Sequence, residues 1–318
     1  MANDQLVMEL DGTLKGEHER RVEAAIKRLR AFEPPEGYRV AFSGGKDSQC
    51  IYHLAKMAGV KFEAHYVVTS VDPPDLIRFV KENYPDVIFE FPKDKDGKVK
   101  TMWNLIPRKM MLPTRILRYC CSELKESTGQ GRITVTGVRW AESINRKLNQ
   151  ALVSVFGNAN KLQPIINETG AKLKKNDNGR IILNDDNDES RRFAEQCYRT
   201  NRTLVNPIVD WTDRDVWLFL NDNHIKHCNL YDEGWKRIGC IGCPMSKISD
   251  REREFNRYPQ YRKNYLRAIQ KMIEAREAKG KTPFLAEDNT PEGIMCWWIY
   301  GNGNDQDAMK AWEVEDED

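Results

Sequence analysis

Apolar positions along the chain follow two alternating rhythms. Over residues 16–32, Val22, Ala25, Ile26 and Leu29 recur at helical spacing and predict an amphipathic helix ending before Pro34-Pro35. Tyr38–Phe42 is a short β-rich run that leads into a glycine turn. Gln49–Gly59 returns to the helical period, with Ile51, Leu54, Ala55 and Ala58 on one side, and Lys61–Val68 is again rich in β-branched and aromatic residues. Strand, loop, helix and strand within about 30 residues make a βαβ unit, and such units build parallel sheets. The pattern continues with a helix at Leu76–Glu82, a strand at Val87–Phe91, a mostly helical Thr101–Glu126 and a strand at Arg132–Val138. Asp213–Asn221 is predicted as a helix capped by Thr212, and Arg251–Glu277 as a long charged helix broken near Pro259. The apolar run around Cys296 (Ile294–Ile299) reads as a buried strand.

The fold class expected from this order is α/β: a doubly wound, mainly parallel sheet with flanking helices, plus a helical C-terminal region. The organisation expected is an N-terminal helical segment over residues 1–35, a nucleotide-binding domain over 36–245 and a helical region over 246–318. Residues 157–190, rich in Asn, Asp, Gly and Lys, interrupt the rhythm and read as an inserted hairpin or mobile loop. The closing residues 313–318 form an acidic tail.

Composition narrows the class without choosing a function. With 40% hydrophobic and 31% charged residues, the chain has the make-up of an ordinary globular protein. Fifty basic and 48 acidic residues leave a net charge of +2, so nothing overall demands a polyanionic partner. The N-terminus lacks a basic-then-apolar signal pattern and no apolar run approaches the length of a membrane span, so a cytoplasmic protein is expected. In a reducing compartment, clustered cysteines more often bind metal or do redox chemistry than form disulfides. Of the eight, Cys120 and Cys121 are adjacent and Cys240 and Cys243 form a C-x-x-C, whereas Cys50, Cys197, Cys228 and Cys296 stand apart as small hydrophobes.

The sharpest local signal is Ser43-Gly44-Gly45-Lys46-Asp47-Ser48, placed between a strand and a helix. Glycines allow the backbone to approach phosphate oxygens, and the helix N-terminus offers amides and partial positive charge. Ser43 and Ser48 add hydroxyls and Lys46 a full charge, while Asp47 suits such a site by orienting a donor or holding Mg²⁺. The spacing is not that of a Walker A loop. Arg139 ends a predicted strand, where ligands of open α/β sheets bind, and a guanidinium there can grip phosphate or sulfate. Glu142 can orient Arg139 or bind a metal, and Ser143 offers a hydrogen bond or caps a helix.

The loop resembles the PP-loop of ATP pyrophosphatases, which cleave ATP between its α- and β-phosphates and activate a substrate as an adenylate. Further motifs resemble the phosphoadenylylsulfate (PAPS) reductase family. Arg118, Cys120, Leu124 and Lys125 match its R-x-C-x-x-x-L-K, and Gly137, Arg139, Glu142 and Ser143 its G-[IV]-R-x-x-E-S. Pro207, Trp211, Asp215 and Trp217 match its P-[IL]-x-x-W-x-x-x-D-V-W, and Leu230, Tyr231, Gly234, Gly239 and Cys240 its L-Y-x-x-G…G-C. The resemblance implies an adenine nucleotide (ATP, APS or PAPS, with Mg²⁺) at residues 43–48, Arg139 and Ser143, and catalytic roles for Lys46, Asp47, Arg139 and Glu142.

The four cysteines Cys120, Cys121, Cys240 and Cys243 are similar to the set in iron–sulfur members of the family, such as adenylylsulfate (APS) reductases and the sulfur-inserting subunit of DNA phosphorothioation systems. That favours a [4Fe–4S] cluster, with zinc or no metal as alternatives; adjacent cysteines sit awkwardly around one tetrahedral ion. Reductases of the family use a cysteine in a Glu-Cys-Gly-x-His segment, which these residues do not contain. The family's D-T-G segment is replaced by Thr69–Pro74, leaving Asp72 a weak candidate for nucleotide contact. ATP-dependent adenylation with sulfur transfer is therefore expected, with an APS/PAPS (sulfonucleotide) reductase acting through Cys296 or another residue as the alternative and a non-catalytic nucleotide-binding regulator as a third reading. Arg108, Lys109, Arg115, Arg118 and Lys125, and separately Arg191, Arg192, Arg199 and Arg202 with Tyr198, make a nucleic-acid acceptor (DNA or tRNA) conceivable beside blander roles, and a cysteine desulfurase is a conceivable sulfur donor. His224, His227 and Cys228 read as cationic residues at a helix terminus rather than as metal ligands.

Overall fold

The first helix, α1 (Ala2–Ala31), runs well upstream of the predicted start, and β1 (Tyr38–Ala41), α2 (Lys46–Ala58) and β2 (Phe62–Val67) complete the expected βαβ unit. Next come α3 (Pro74–Asn83), β3 (Ile88–Glu90), α4 (Met102–Lys109), α5 (Tyr119–Leu124) and β4 (Ile133–Val135). They are followed by α6 (Ile144–Asn149), β5 (Val153–Phe156), α7 (Ala159–Thr169), β6 (Lys174–Lys175), β7 (Ile181–Leu183), α8 (Asp188–Cys197) and β8 (Arg202–Val205). The remainder is helical: α9 (Asp213–Asp222), α10 (Ile248–Arg257), α11 (Pro259–Ala278) and α12 (Pro291–Tyr300). This computed structural model describes residues 2–126, 128–129, 131–156, 159–169, 174–175, 181–184, 187–197 and 202–301. No helix among them is long and apolar enough to cross a membrane.

Two compact units share the chain. The first draws on residues 1–66, 78–89 and 129–235, the second on 67–77, 90–128 and 236–318. The first holds the sheet, in the order β3-β2-β1-β4-β8-β5-β7-β6. Strands β2, β1, β4 and β8 pair in parallel, as the βαβ rhythm requires, whereas β5, β7 and β6 extend the sheet antiparallel beyond β8. Val40, Ile133, Val135 and Val205 are buried on these strands, and Ile51, Leu54 and Ala55 of α2 are buried with them, so the apolar stripe read from the sequence is the packed one.

Three expectations differ from the structure. Residues 157–190 contain a β6–β7 hairpin, but also α7 and the start of α8. Among the described residues of this stretch Leu162, Ile181, Ile182 and Leu183 are buried, and these few apolar positions anchor the short elements. Thr101–Glu126 is two short helices: α4 ends at Met110 in a left-handed conformation. The run around Cys296 is helical, not a strand. Thr290 caps α12, Pro291 occupies its first turn, and Ile294, Met295, Trp298 and Ile299 are buried at i, i+1, i+4 and i+5 while Cys296 is exposed. A short apolar run cannot tell helix from strand by periodicity alone. The predicted break near Pro259 is present, with Tyr258 separating α10 from α11.

Candidate functional site

In the first unit β1 delivers the chain into Ser43-Gly44-Gly45, with Gly44 at φ +73°, and α2 begins at Lys46. Gly45 occupies the cap position and supplies no side-chain cap, so the opening turn of α2 keeps amides without intrahelical partners. One of these is already used: Lys46 N–H donates to the Tyr231 hydroxyl at 2.9 Å. Ser48 Oγ donates to the Gly45 carbonyl at 2.8 Å and lies 3.3 Å from Ser43 Oγ, bracing the turn from within.

Gly137 explains how a second strand end reaches this loop. A Cβ at that position would stand 2.9 Å from the Asp47 carbonyl oxygen, closer than real Cβ atoms come, so only glycine lets the end of β4 abut the first turn of α2. Two residues later Arg139 enters the same place with 1% exposure. Its Nε donates to Asp47 Oδ1 at 2.6 Å, one terminal nitrogen to Asp213 Oδ1 at 2.8 Å and the other to the Trp211 carbonyl at 3.3 Å. Burial works to discharge this guanidinium, and Asp47 and Asp213 more than offset it, so it is held even more firmly charged than usual. Desolvation acts to raise the Asp213 carboxyl, but Arg139 and Lys46 outweigh it and hold the group below its ordinary value. Lys46 Nζ stands 3.4 Å from Asp47 Oδ2 and 3.5 Å from Asp213 Oδ1.

The result is a four-charge lattice beside a helix N-terminus, with Asp213 facing solvent at 70% side-chain exposure and Arg139 at its centre. Two cations balance two carboxylates, so the lattice has no surplus negative charge with which to hold Mg²⁺ by itself. Lys46, Asp47, Ser48 and Arg139 are thus brought together as the sequence suggested. Arg139, however, spends its donors on two carboxylates and a backbone carbonyl, and its position is that of an organiser behind the loop. Glu142 and Ser143 are spent locally: Glu142 accepts from the Arg139 backbone N–H at 3.1 Å and from Arg146 at 2.6 Å, and Ser143 caps α6 by accepting from Arg146 N–H at 3.2 Å.

Asp213 was not foreseen as part of the site. Its signal was available: it is the first residue of α9, two positions beyond Trp211, within the segment that carries the tryptophan and Asp215. Asp215, by contrast, closes a capping box with Thr212, accepting from its N–H at 2.7 Å, and pairs with His18 at 3.3 Å and with Arg21 of α1. Tyr231, read only as part of a motif, is the hydroxyl on the Lys46 amide.

The second unit gathers the other cysteines. Cys120 and Cys121 sit on α5 and hydrogen-bond through sulfur, which pushes the Cys120 thiol up and draws the Cys121 thiol down to about 6, with Lys125 and Arg118 adding to the latter. Cys240 and Cys243 act electrostatically on Cys120, so thiols far apart in sequence share one locality. Cys240 Sγ lies 3.6 Å from Thr69 Oγ1, and Lys125 is held charged chiefly by Cys240, with Asp72 and Cys121 adding to it. Asp72 itself is buried, accepting from Thr69 N–H at 2.7 Å. Among the described residues all eight cysteines are free thiols, and no three or more His, Cys, Asp or Glu side chains form a group that could hold a metal ion.

The predicted basic cluster in this unit is largely internal. Glu123 takes Lys100 at 2.6 Å, Lys109 at 2.9 Å and Arg108 at 3.5 Å, and these cations draw its carboxyl down to about 2. Arg115 donates to the Pro244 carbonyl at 3.1 Å. In the other cluster Arg191 lies 3.6 Å from Asp188 and Arg202 stacks over Phe156, while Tyr198 and Arg199 fall outside the described residues. His227 pairs with Asp232 at 2.9 Å and Cys228 is buried; both lie in the irregular segment beyond α9, which ends at Asp222, not at its terminus.

Residues 37–246 match the family described as the phosphoadenosine phosphosulfate reductase domain. An uncharacterised protein of Methanocaldococcus jannaschii is 27% identical over 232 residues, 69% of this chain and 44% of that one. An adenosine 5'-phosphosulfate reductase of Oceanobacillus iheyensis is 44% identical over 58 residues, 18% of this chain and 24% of that one. A reductase of the same name from Bacillus cereus is 22% identical over 226 residues, 68% of this chain and 76% of that one. The chain thus spans less than half the length of the first two relatives.

Proposed function

Because this chain belongs to the phosphoadenosine phosphosulfate reductase domain family, we propose that it is an enzyme that binds an adenine nucleotide at residues 43–48 and uses ATP to adenylate an acceptor in the course of sulfur transfer. The observation that carries this reading is the loop itself: a glycine turn opening α2, with Lys46 buried against two carboxylates that Arg139 keeps in place. The amides of the loop and of the first turn of α2 other than that of Lys46 supply donors for phosphate oxygens, and the Lys46 side chain supplies the movable charge. Mg²⁺ arrives with the nucleotide, as counter-ion of its phosphates. Attack of the acceptor at the α-phosphorus breaks the bond to the β-phosphate bridging oxygen and releases pyrophosphate. Lys46 stabilises the charge that develops on the phosphates, and Arg139 acts through Asp47 and Asp213.

Cys120, Cys121, Cys240 and Cys243 are the residues that would hold a [4Fe–4S] cluster, which when bound supplies sulfur-handling or electron-transfer chemistry. The acceptor is a nucleophile not identified by these features. DNA or tRNA is one candidate, tested by binding whose affinity falls steeply with salt, and a cysteine desulfurase is the candidate donor. Incubation with Mg·ATP and candidate acceptors should release pyrophosphate as the acceptor is adenylated, an equal amount of AMP should follow only when a sulfide source is added to displace it from the adenylate, and a Lys46→Ala variant should release neither. Absence of ATP cleavage with every acceptor, together with sulfite release from APS or PAPS, would favour the reductase reading, whose exposed thiol is Cys296. Nucleotide binding with neither turnover leaves the regulator reading. Iron, sulfide and zinc assays on anaerobically purified protein decide the cluster: iron and acid-labile sulfide support it, and stoichiometric zinc overturns it.

A further inference from the structure

The loop between Cys240 and Cys243 is held from its centre. Gly242 has φ +73°, and a Cβ there would stand 2.9 Å from Phe255, 3.1 Å from Trp298 and 3.1 Å from Tyr265, so the loop backbone lies directly on three rings. Those rings come from α10, α12 and α11, all beyond residue 246, where the match to the family ends. Each central peptide group has a partner. Ile241 N–H donates to the Val71 carbonyl at 2.7 Å, Gly242 N–H donates to Glu254 Oε2 at 2.7 Å, and the Tyr265 hydroxyl donates to the Ile241 carbonyl at 3.0 Å.

Two of these partners are unusual choices for a core. Glu254 is 5% exposed, and its Oε2 takes a backbone amide of this loop. A buried carboxylate is expensive to desolvate, so an apolar residue would stabilise the helix packing better unless the amide it holds matters. Tyr265 is 1% exposed, and its hydroxyl stands within electrostatic reach of Cys240, Cys120 and Cys243. Arg251, on the same helix as Glu254, ties α12 down by donating to the carbonyls of Trp298 and Ile299 at 2.7 Å each, which fixes one of the three rings.

We propose that Glu254 and Tyr265 are positioning residues for Cys240 and Cys243, and that helices α10–α12 are the frame that presents this thiol pair. The inference rests on the reading that the four cysteines act as one set, but it concerns the thiols themselves and is testable without a cluster. The test is alkylation of the reduced, metal-free full chain with iodoacetamide, followed residue by residue by mass spectrometry. Exposed Cys296 serves as a reactivity reference, fully buried Cys50 of the first unit as a sentinel of global opening, and amide hydrogen exchange of α11 as a sentinel of opening of the second unit. Glu254→Leu should change the alkylation rates of Cys240 and Cys243 by about tenfold, the size expected for losing one hydrogen bond to a charged group. Glu254→Gln, which retains an acceptor oxygen, should behave as the parent. Tyr265→Phe keeps the ring and should shift the same two rates with Cys50 still protected. Parent-like rates in both Glu254→Leu and Tyr265→Phe overturn the proposal. If Glu254→Leu exposes Cys50, Tyr265→Phe decides, and unchanged rates there overturn it. Metal assays on the parent protein report separately: absence of iron defeats the cluster reading and leaves the positioning of the thiols to the alkylation rates.

Discussion

Arg139 shows how a residue singled out by sequence gains partners that only the structure reveals. As a strand-end guanidinium it looks like a phosphate ligand, whereas its burial and its bonds to Asp47, Asp213 and Trp211 make it the organiser of two carboxylates. Arg139→Ala should cost about 2–3 kcal/mol of unfolding free energy, somewhat below the full loss for a broken buried pair because Asp213 reaches solvent. Arg139→Lys should recover only part of it, since a lysine cannot bridge both carboxylates as a fork; denaturant melts of the three proteins check the order. Lys46→Ala should lower stability less than Arg139→Ala, its contacts to Asp47 and Asp213 being longer, while weakening ATP binding by about tenfold or more, the weight of one charge-assisted contact, measured by equilibrium dialysis. Tyr231→Phe removes the acceptor on the Lys46 amide, freeing that donor for phosphate, and should not lower ATP affinity while the fold stays intact, readable in the same experiment.

Among the elements, α2 joins the phosphate loop to the aromatic core of the first unit. His53, on its third turn, lies 3.2 Å from the Tyr84 hydroxyl and edge-on to the Tyr52 ring. Burial, helped by Lys56 and opposed by Asp86, pulls its imidazole from 6.5 down to about 4. In the folded chain the ring therefore refuses a proton that the unfolded chain accepts. The stability this confers is present above pH 6.5 and is lost as pH falls toward 4. Urea midpoints measured at pH 7 and pH 5 should fall for the parent protein and fall less for His53→Gln. Helix α9 was the most legible element: Thr212, three residues before Asp215, announces a capping box, and both bonds of the box are present. Thr212→Ala should cost about 1 kcal/mol, read by thermal melting. Helix α12 was the least legible, because Ile294–Ile299 is apolar enough to satisfy either period.

Over the whole molecule, the nearly balanced charge count gives no general attraction for a polyanion, and the basic cluster around Lys109 is consumed by Glu123. A nucleic-acid acceptor would then be held through local basic residues rather than by the net charge, and its affinity should fall steeply with salt. The sequence by itself determined the βαβ rhythm, the glycine loop at the start of α2, the identities of Lys46, Asp47 and Arg139, and the two cysteine pairs. These are local: period, cap chemistry and turn residues act within a few positions of the chain. Only the tertiary structure decided that Asp213 joins the lattice, that Gly137 admits β4 to the first turn of α2, that Cys120 lies near Cys240 and Cys243, and that Glu254 and Tyr265 hold the loop between them. Each of those is a contact between residues from 12 to more than a hundred positions apart, fixed by which strands pair and which helices pack, and no spacing along the chain encodes that.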